Sequence, residues 1–99
     1  MATRLDWEFR RLESIVDKYC IAGKEDDAYD AVTWAWEYAH DYPQQADIEE
    51  AIRLVKKAEE YMTDEGKPLY AKVRAGVVRR LRLLLYDRKK KTARKTDGE

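Results

Sequence analysis

The residues best placed for chemistry are Glu37-Tyr38-Ala39-His40. A Glu-x-x-His sets a carboxylate and an imidazole one helical turn apart, and bundles that hold two metal ions use two such pairs with two further glutamates. His40 is the sole histidine of the 99 residues, so one chain supplies only one pair. Wound on a helix, Glu37 and His40 fall on the polar arc with Asp30, Thr33 and Asp41, and are expected to face water. No metal is expected. Ser14 and Cys20 share a helix with no base predicted nearby. There is no glycine-rich phosphate loop, and no carboxylate pair stands out as an acid and base. Catalytic residues and cofactors are therefore not nominated. Cys20 falls beside an apolar stripe and reads as a small buried thiol.

Charge is the stronger signal. The chain carries 20 basic and 20 acidic residues, but they are sorted along it. Residues 24–66 hold four basic and thirteen acidic side chains, whereas residues 67–99 hold twelve and three. Lys72, Arg79, Arg80 and Arg82 lie opposite the apolar stripe of the last helix, with Leu83 and Tyr86 among them. Arg88, Lys89, Lys90, Lys91, Arg94 and Lys95 carry the positive charge onward. Such an array binds phosphates through counterion release, an anionic membrane surface, or an acidic protein surface, a second copy of the chain included. Asp26, Asp30, Glu37 and Asp41 form the opposing acidic row. That row either stays solvated, holds a cation, recruits a basic partner, or lies beside the basic helix of its own chain.

These residues need helices to position them, and the sequence punctuates four. Thr3 caps the first, with Asp6 as the answering acid. Leu5, Phe9, Leu12, Val16 and Tyr19 then form one stripe, and Gly23 is expected to end the helix near residue 22. The second runs from about Glu25 to Asp41. Its apolar arc is wide enough for a central helix or one shared with a partner. Trp34 and Trp36 stand about 200° apart around it at 100° per residue, so they cannot share one narrow face. Trp7 points away from the stripe of the first helix. Trp7, Trp34 and Trp36 are thus candidate interface aromatics. The third helix is expected to begin around Asp47 with Glu50 at the capping-box position. Ile48, Ala51, Ile52, Val55, Ala58 and Met62 face its core. Pro68 suits the first turn of the fourth, where Tyr70, Val73, Val77, Leu81 and Leu84 recur.

The segment Tyr19-Cys-Ile-Ala-Gly-Lys-Glu-Asp-Asp-Ala28, followed by Val32 and Ala35, resembles the helix–turn–helix of a tetratricopeptide repeat. The resemblance covers about residues 12–35. Gly66 and Ala71 follow Gly23 and Ala28 by 43 residues rather than 34, and Val16 stands where the repeat has glycine. It therefore implies a shared hairpin geometry and carries no function.

The expected fold is all-α: a compact antiparallel four-helix bundle built as a pair of α-hairpins over residues 1–88, followed by a short disordered basic tail at 89–99. Without an apolar run of about 18 residues, and with charges at the N-terminus and one cysteine, an intracellular protein with no transmembrane segment is expected. The function expected is a small non-enzymatic protein–protein interaction module that uses its sorted charge to bind a protein partner or itself. A nucleic-acid binder using the basic fourth helix and tail is the alternative.

Overall fold

A computed structural model describes residues 3–41 and 44–97, with the backbone alone at residue 41 and residues 87–97. These residues form four helices: α1 (Arg4–Tyr19), α2 (Glu25–Asp41), α3 (Gln45–Ala58) and α4 (Gly66–Asp97), with a 3-10 turn at Glu59–Tyr61. At the start of α1 the capping box closes as its sequence implies. The Asp6 N–H donates to Thr3 Oγ1 at 3.2 Å and the Thr3 N–H to Asp6 Oδ2 at 2.7 Å. α3 begins earlier than expected. Gln44 is its N-cap, and Asp47 is the acid that accepts the Gln44 N–H at 3.2 Å. Asp47 thus answers a cap three residues before it rather than serving as one.

α1 also stops earlier than Gly23 would place it. Cys20 leaves the helix in extended conformation and forms an antiparallel β-bridge with Met62. The Ile21 N–H donates to the Tyr61 carbonyl, and the Thr63 N–H to the Tyr19 carbonyl, both at 2.8 Å. These bonds lace the α1–α2 turn to the α3–α4 turn and satisfy backbone groups that the helix ends leave open. Gly23 closes the first turn at φ +88°, where a side chain would be strained. Thr63 caps α4, its Oγ1 accepting the Gly66 N–H at 3.2 Å.

α1 packs against α2 and α4, and α3 against α2 and α4, so the helices form a ring in chain order and α2 stands diagonally across from α4. The stripes meet inside. Phe9, Leu12, Val16, Val32, Ile48, Val55, Met62, Tyr70, Val77 and Leu81 are fully buried. The wide apolar arc of α2 has an internal explanation. Ala28, Ala31, Val32, Ala35 and Ala39 are buried between α1 and α3, Tyr29, Trp36 and Tyr38 are half-buried at the edges, and Trp34 is left exposed.

Tyr70 shows how a polar group enters this core. The Glu59 N–H turns to the carbonyls of Lys56 and Lys57 as α3 tightens, which withdraws it from Val55, the acceptor it would use in a continuing α-helix. The Tyr70 hydroxyl donates to that Val55 carbonyl at 2.9 Å. Burial pushes the phenol well above its usual range. Tyr70→Phe is expected to lose about 1–2 kcal/mol of unfolding free energy, because a buried carbonyl loses its donor while the ring keeps its packing. Urea denaturation at matched m-value measures this.

Among the described residues no helix is long and apolar enough to cross a membrane. α4 is 32 residues long, about twice its neighbours. The expected tail at 89–99, with Arg88, Lys89, Lys90, Lys91, Arg94 and Lys95, lies outside the residues whose side chains are described.

Candidate functional site

The diagonal placement of α2 and α4 decides where the sorted charge goes. Asp26, Asp30 and Glu37 are exposed on the outer face of α2. Asp41 belongs to the same row by spacing, but its side chain lies outside the described residues. On the opposite side of the bundle, Lys72, Arg79 and Arg82 are exposed along α4. The two rows therefore lie on non-neighbouring helices, each beside a groove that borders α3, and among the described residues no ion pair joins the acids of α2 to α4. Among the described residues, Lys72, Arg79 and Arg82 make no ion pair.

Around Arg79 and Arg82 the surface of α4 is partly apolar. Leu83 is 56% exposed and Tyr86 63%. With Lys56 of α3 and Arg74, Ala75 and Val78 of α4 they line a groove of about 540 Å³ between α3 and α4. Arg74 is held on its wall by Glu59, which neutralises it. The groove joins guanidinium groups to an aliphatic and an aromatic side chain, a mixture suited to protein surfaces. Helix spacing alone groups Lys72, Arg79, Arg82, Leu83 and Tyr86; Lys56, Arg74 and Val78 join only through the packing of α3 on α4.

Arg80 is used differently. Its guanidinium turns inward, bonding Glu8 of α1 at 2.7 Å and the Gly76 carbonyl at 3.2 Å. Both side chains are largely covered, at 26% and 15% exposure. At 100° per residue Arg80 lies about 100° from Arg79, on the flank of α4 that α1 covers. It is therefore removed from the free cations of this surface.

The three tryptophans also separate. Trp34 is 54% exposed on α2 beside Asp27 and Asp30, and Trp7 is 57% exposed on α1 with the Arg10 guanidinium 5.3 Å from its ring centroid. Trp36 is half-buried and stacks on Phe9 with ring centroids 5.9 Å apart and planes 2° from parallel. Its indole N–H donates to Asp6 Oδ1 at 2.8 Å. It is a packing residue between α1 and α2, not an exposed anchor.

Asp6 is the acceptor at the centre of a polar cluster. It is 8% exposed and receives the Thr3 N–H, the Trp36 indole N–H and His40 Nε2, the last at 2.5 Å. The Thr3 backbone bond, followed by those from Trp36, the Thr3 hydroxyl and His40, outweighs desolvation and holds the carboxyl at about 2. An ionised carboxylate only accepts, so His40 Nε2 is the donor. Glu37 and His40 are both exposed, as expected, and the His40 ring, one turn from Trp36, also reaches Asp6 on α1. Among the described residues no three His, Cys, Asp or Glu side chains gather as a metal site would require. Comparisons with protein-family models, with curated proteins and with solved structures found no match. The site therefore rests on its own geometry.

Cys20 sits at the laced turns, half-buried, with its thiol donating to the Tyr61 carbonyl at 3.4 Å. Burial, with Glu25 and Asp27 nearby, pushes the thiol above its usual range. Less thiolate is present at neutral pH. Cys20 is expected to react with a disulfide reagent several-fold more slowly in the folded protein than in urea, as absorbance of the released thiol would record.

Proposed function

We propose that this chain is a small non-enzymatic protein–protein interaction module that works through two opposed helix faces of opposite charge. The observation that carries this reading is the outer face of α4, where Arg79 and Arg82 stand without an ion pair among the described residues, beside exposed Leu83 and Tyr86. Solvated charge alone needs no such apolar neighbours, whereas a protein interface uses apolar anchors within a charged rim. The α2 face carries the opposite sign: Asp26, Asp27 and Asp30 stand near exposed Trp34, whose groove Lys57 of α3 also lines. Charge on each face steers the approach of a partner, and the apolar groups hold it.

A binding titration tests the reading. The probe is a helical peptide carrying one tryptophan among aspartates and glutamates, and the control is random-sequence single-stranded DNA. The peptide is expected to bind, and Arg79→Glu with Arg82→Glu to abolish binding. DNA binding that exceeds peptide binding, and falls steeply with salt, would favour the second reading, a phosphate-binding protein. One observation supports that alternative. The acids of α2 lie across the bundle from Lys72, Arg79 and Arg82 and so do not screen that face from a phosphate backbone.

A further inference from the structure

The two faces are complementary to each other. On α2, Asp26, Asp30 and Glu37 fall within about 40° of arc at 100° per residue, and Trp34 lies about 40° from Asp30. On α4, Lys72, Arg79 and Tyr86 recur every seven residues and form one row, flanked by Arg82 and Leu83. Each face thus presents three like charges, around exposed Trp34 on α2 and around exposed Leu83 and Tyr86 on α4, and the signs are opposite. Within one molecule the charged rows stay apart, because α2 and α4 occupy opposite corners of the ring and approach only at one end, where Ala39 and His40 of α2 share a cavity with Arg80, Leu83 and Leu84 of α4. Between two molecules they can meet. The net charge of zero also means that copies do not repel one another at long range.

We propose that the α4 groove is occupied by the α2 face of a second copy of this chain, so that molecules associate head to tail. The proposal rests on the interaction-module reading and names its partner. The second copy's Trp34 enters beside Leu83 and Tyr86, where the Arg79 and Arg82 guanidinium groups bracket an indole favourably. The second copy's Asp26, Asp30 and Glu37 meet Lys72, Arg79 and Arg82. Such a contact is heterologous: every pair keeps one free face of each sign, and growth continues unless the rotation closes a ring.

Two charge-reversed variants separate this arrangement from a symmetric dimer. Arg79→Glu with Arg82→Glu leaves the α2 face intact, and Asp30→Lys with Glu37→Lys leaves the α4 face intact. All four residues are exposed, so circular dichroism should be unchanged. In analytical ultracentrifugation at low salt the natural chain is expected to grow in mass with concentration and to return to monomer at high salt. Each variant alone should be monomeric. Their equimolar mixture should form a one-to-one pair and nothing larger, since only one complementary contact remains. Trp34→Ala should weaken association about tenfold or more. A natural chain that stays monomeric at low salt, or a mixture that fails to pair, would overturn the proposal. Should the monomeric chain still bind the acidic peptide, self-association fails and the interaction-module reading stands; should it bind neither, both fail.

Discussion

Asp6→Ala is expected to lower the unfolding free energy by about 2–4 kcal/mol, the sum of a lost cap and lost charge-assisted hydrogen bonds. Asp6 acts in two places at once. It closes the capping box on Thr3 and accepts from Trp36 and His40 of α2. Alanine leaves the Thr3 N–H open at the helix start and strips the half-buried Trp36 indole and the partly exposed His40 imidazole of their acceptor. For a chain of this length the loss corresponds to a drop in melting temperature on the order of 10–25 °C. Asp6→Asn keeps an acceptor but removes the charge, which produces the pH signature. A carboxyl whose pKa falls on folding stabilises the folded state above its unfolded value and loses that contribution as pH drops through the folded value. Asp6 is lowered from 3.8 to about 2. The stability difference between the natural chain and Asp6→Asn should therefore be constant above about pH 5 and shrink toward pH 2. Chemical denaturation across that range measures it; a difference independent of pH would show that the Asp6 charge does not hold α1 to α2.

Gly66→Ala is expected to cost about 2–3 kcal/mol, at the upper end of ordinary overpacking. A Cβ at Gly66 would sit well inside contact distance of Tyr19 Cβ and 3.2 Å from the Tyr19 carbonyl oxygen. Neither neighbour is the end of a flexible side chain. The Tyr19 carbonyl is also the acceptor for the Thr63 N–H, so moving α1 away loosens the lacing between the two turns. The gain in helix propensity from glycine to alanine, about 1 kcal/mol at most, does not offset this. Thermal unfolding with the Tyr70→Phe protein as a milder reference would rank the two effects, and an unchanged melting temperature would show that the turns can separate freely.

The helices are legible in the sequence because their stripes recur at spacings of three and four and because Thr3 and Pro68 mark helix starts, and Gly23 a turn, by local chemistry alone. The displaced ends have non-local or ambiguous causes. Cys20 leaves α1 because Met62 pairs with it from the other hairpin. The start of α3 is ambiguous because Asp47 serves equally well as a cap or as the acid answering one. The row Lys72, Arg79, Arg82 and Tyr86 follows from helix spacing, but that Arg80, about 100° from Arg79, is covered and paired depends on Glu8 of the neighbouring α1. The Asp6 cluster leaves a partial trace: Trp36 and His40 are four residues apart and both carry N–H donors. Their acceptor is 30 and 34 residues away, and no periodicity within α2 points to it. The relative position of α2 and α4, on which the meaning of the sorted charge depends, is a property of packing order and not of either helix.

The sorted charge thus lies on two external faces and is not neutralised between α2 and α4. Backbone amide shifts followed by NMR as the protein is concentrated at low salt would report on both faces at once. Shifts are expected to grow with concentration at Asp26, Asp30, Trp34 and Glu37 on α2 and at Lys72, Arg79, Arg82, Leu83 and Tyr86 on α4, and added salt should reverse them. Concentration-dependent shifts clustered instead around Trp7 on α1, or a spectrum unchanged at every concentration, would contradict the two-face arrangement.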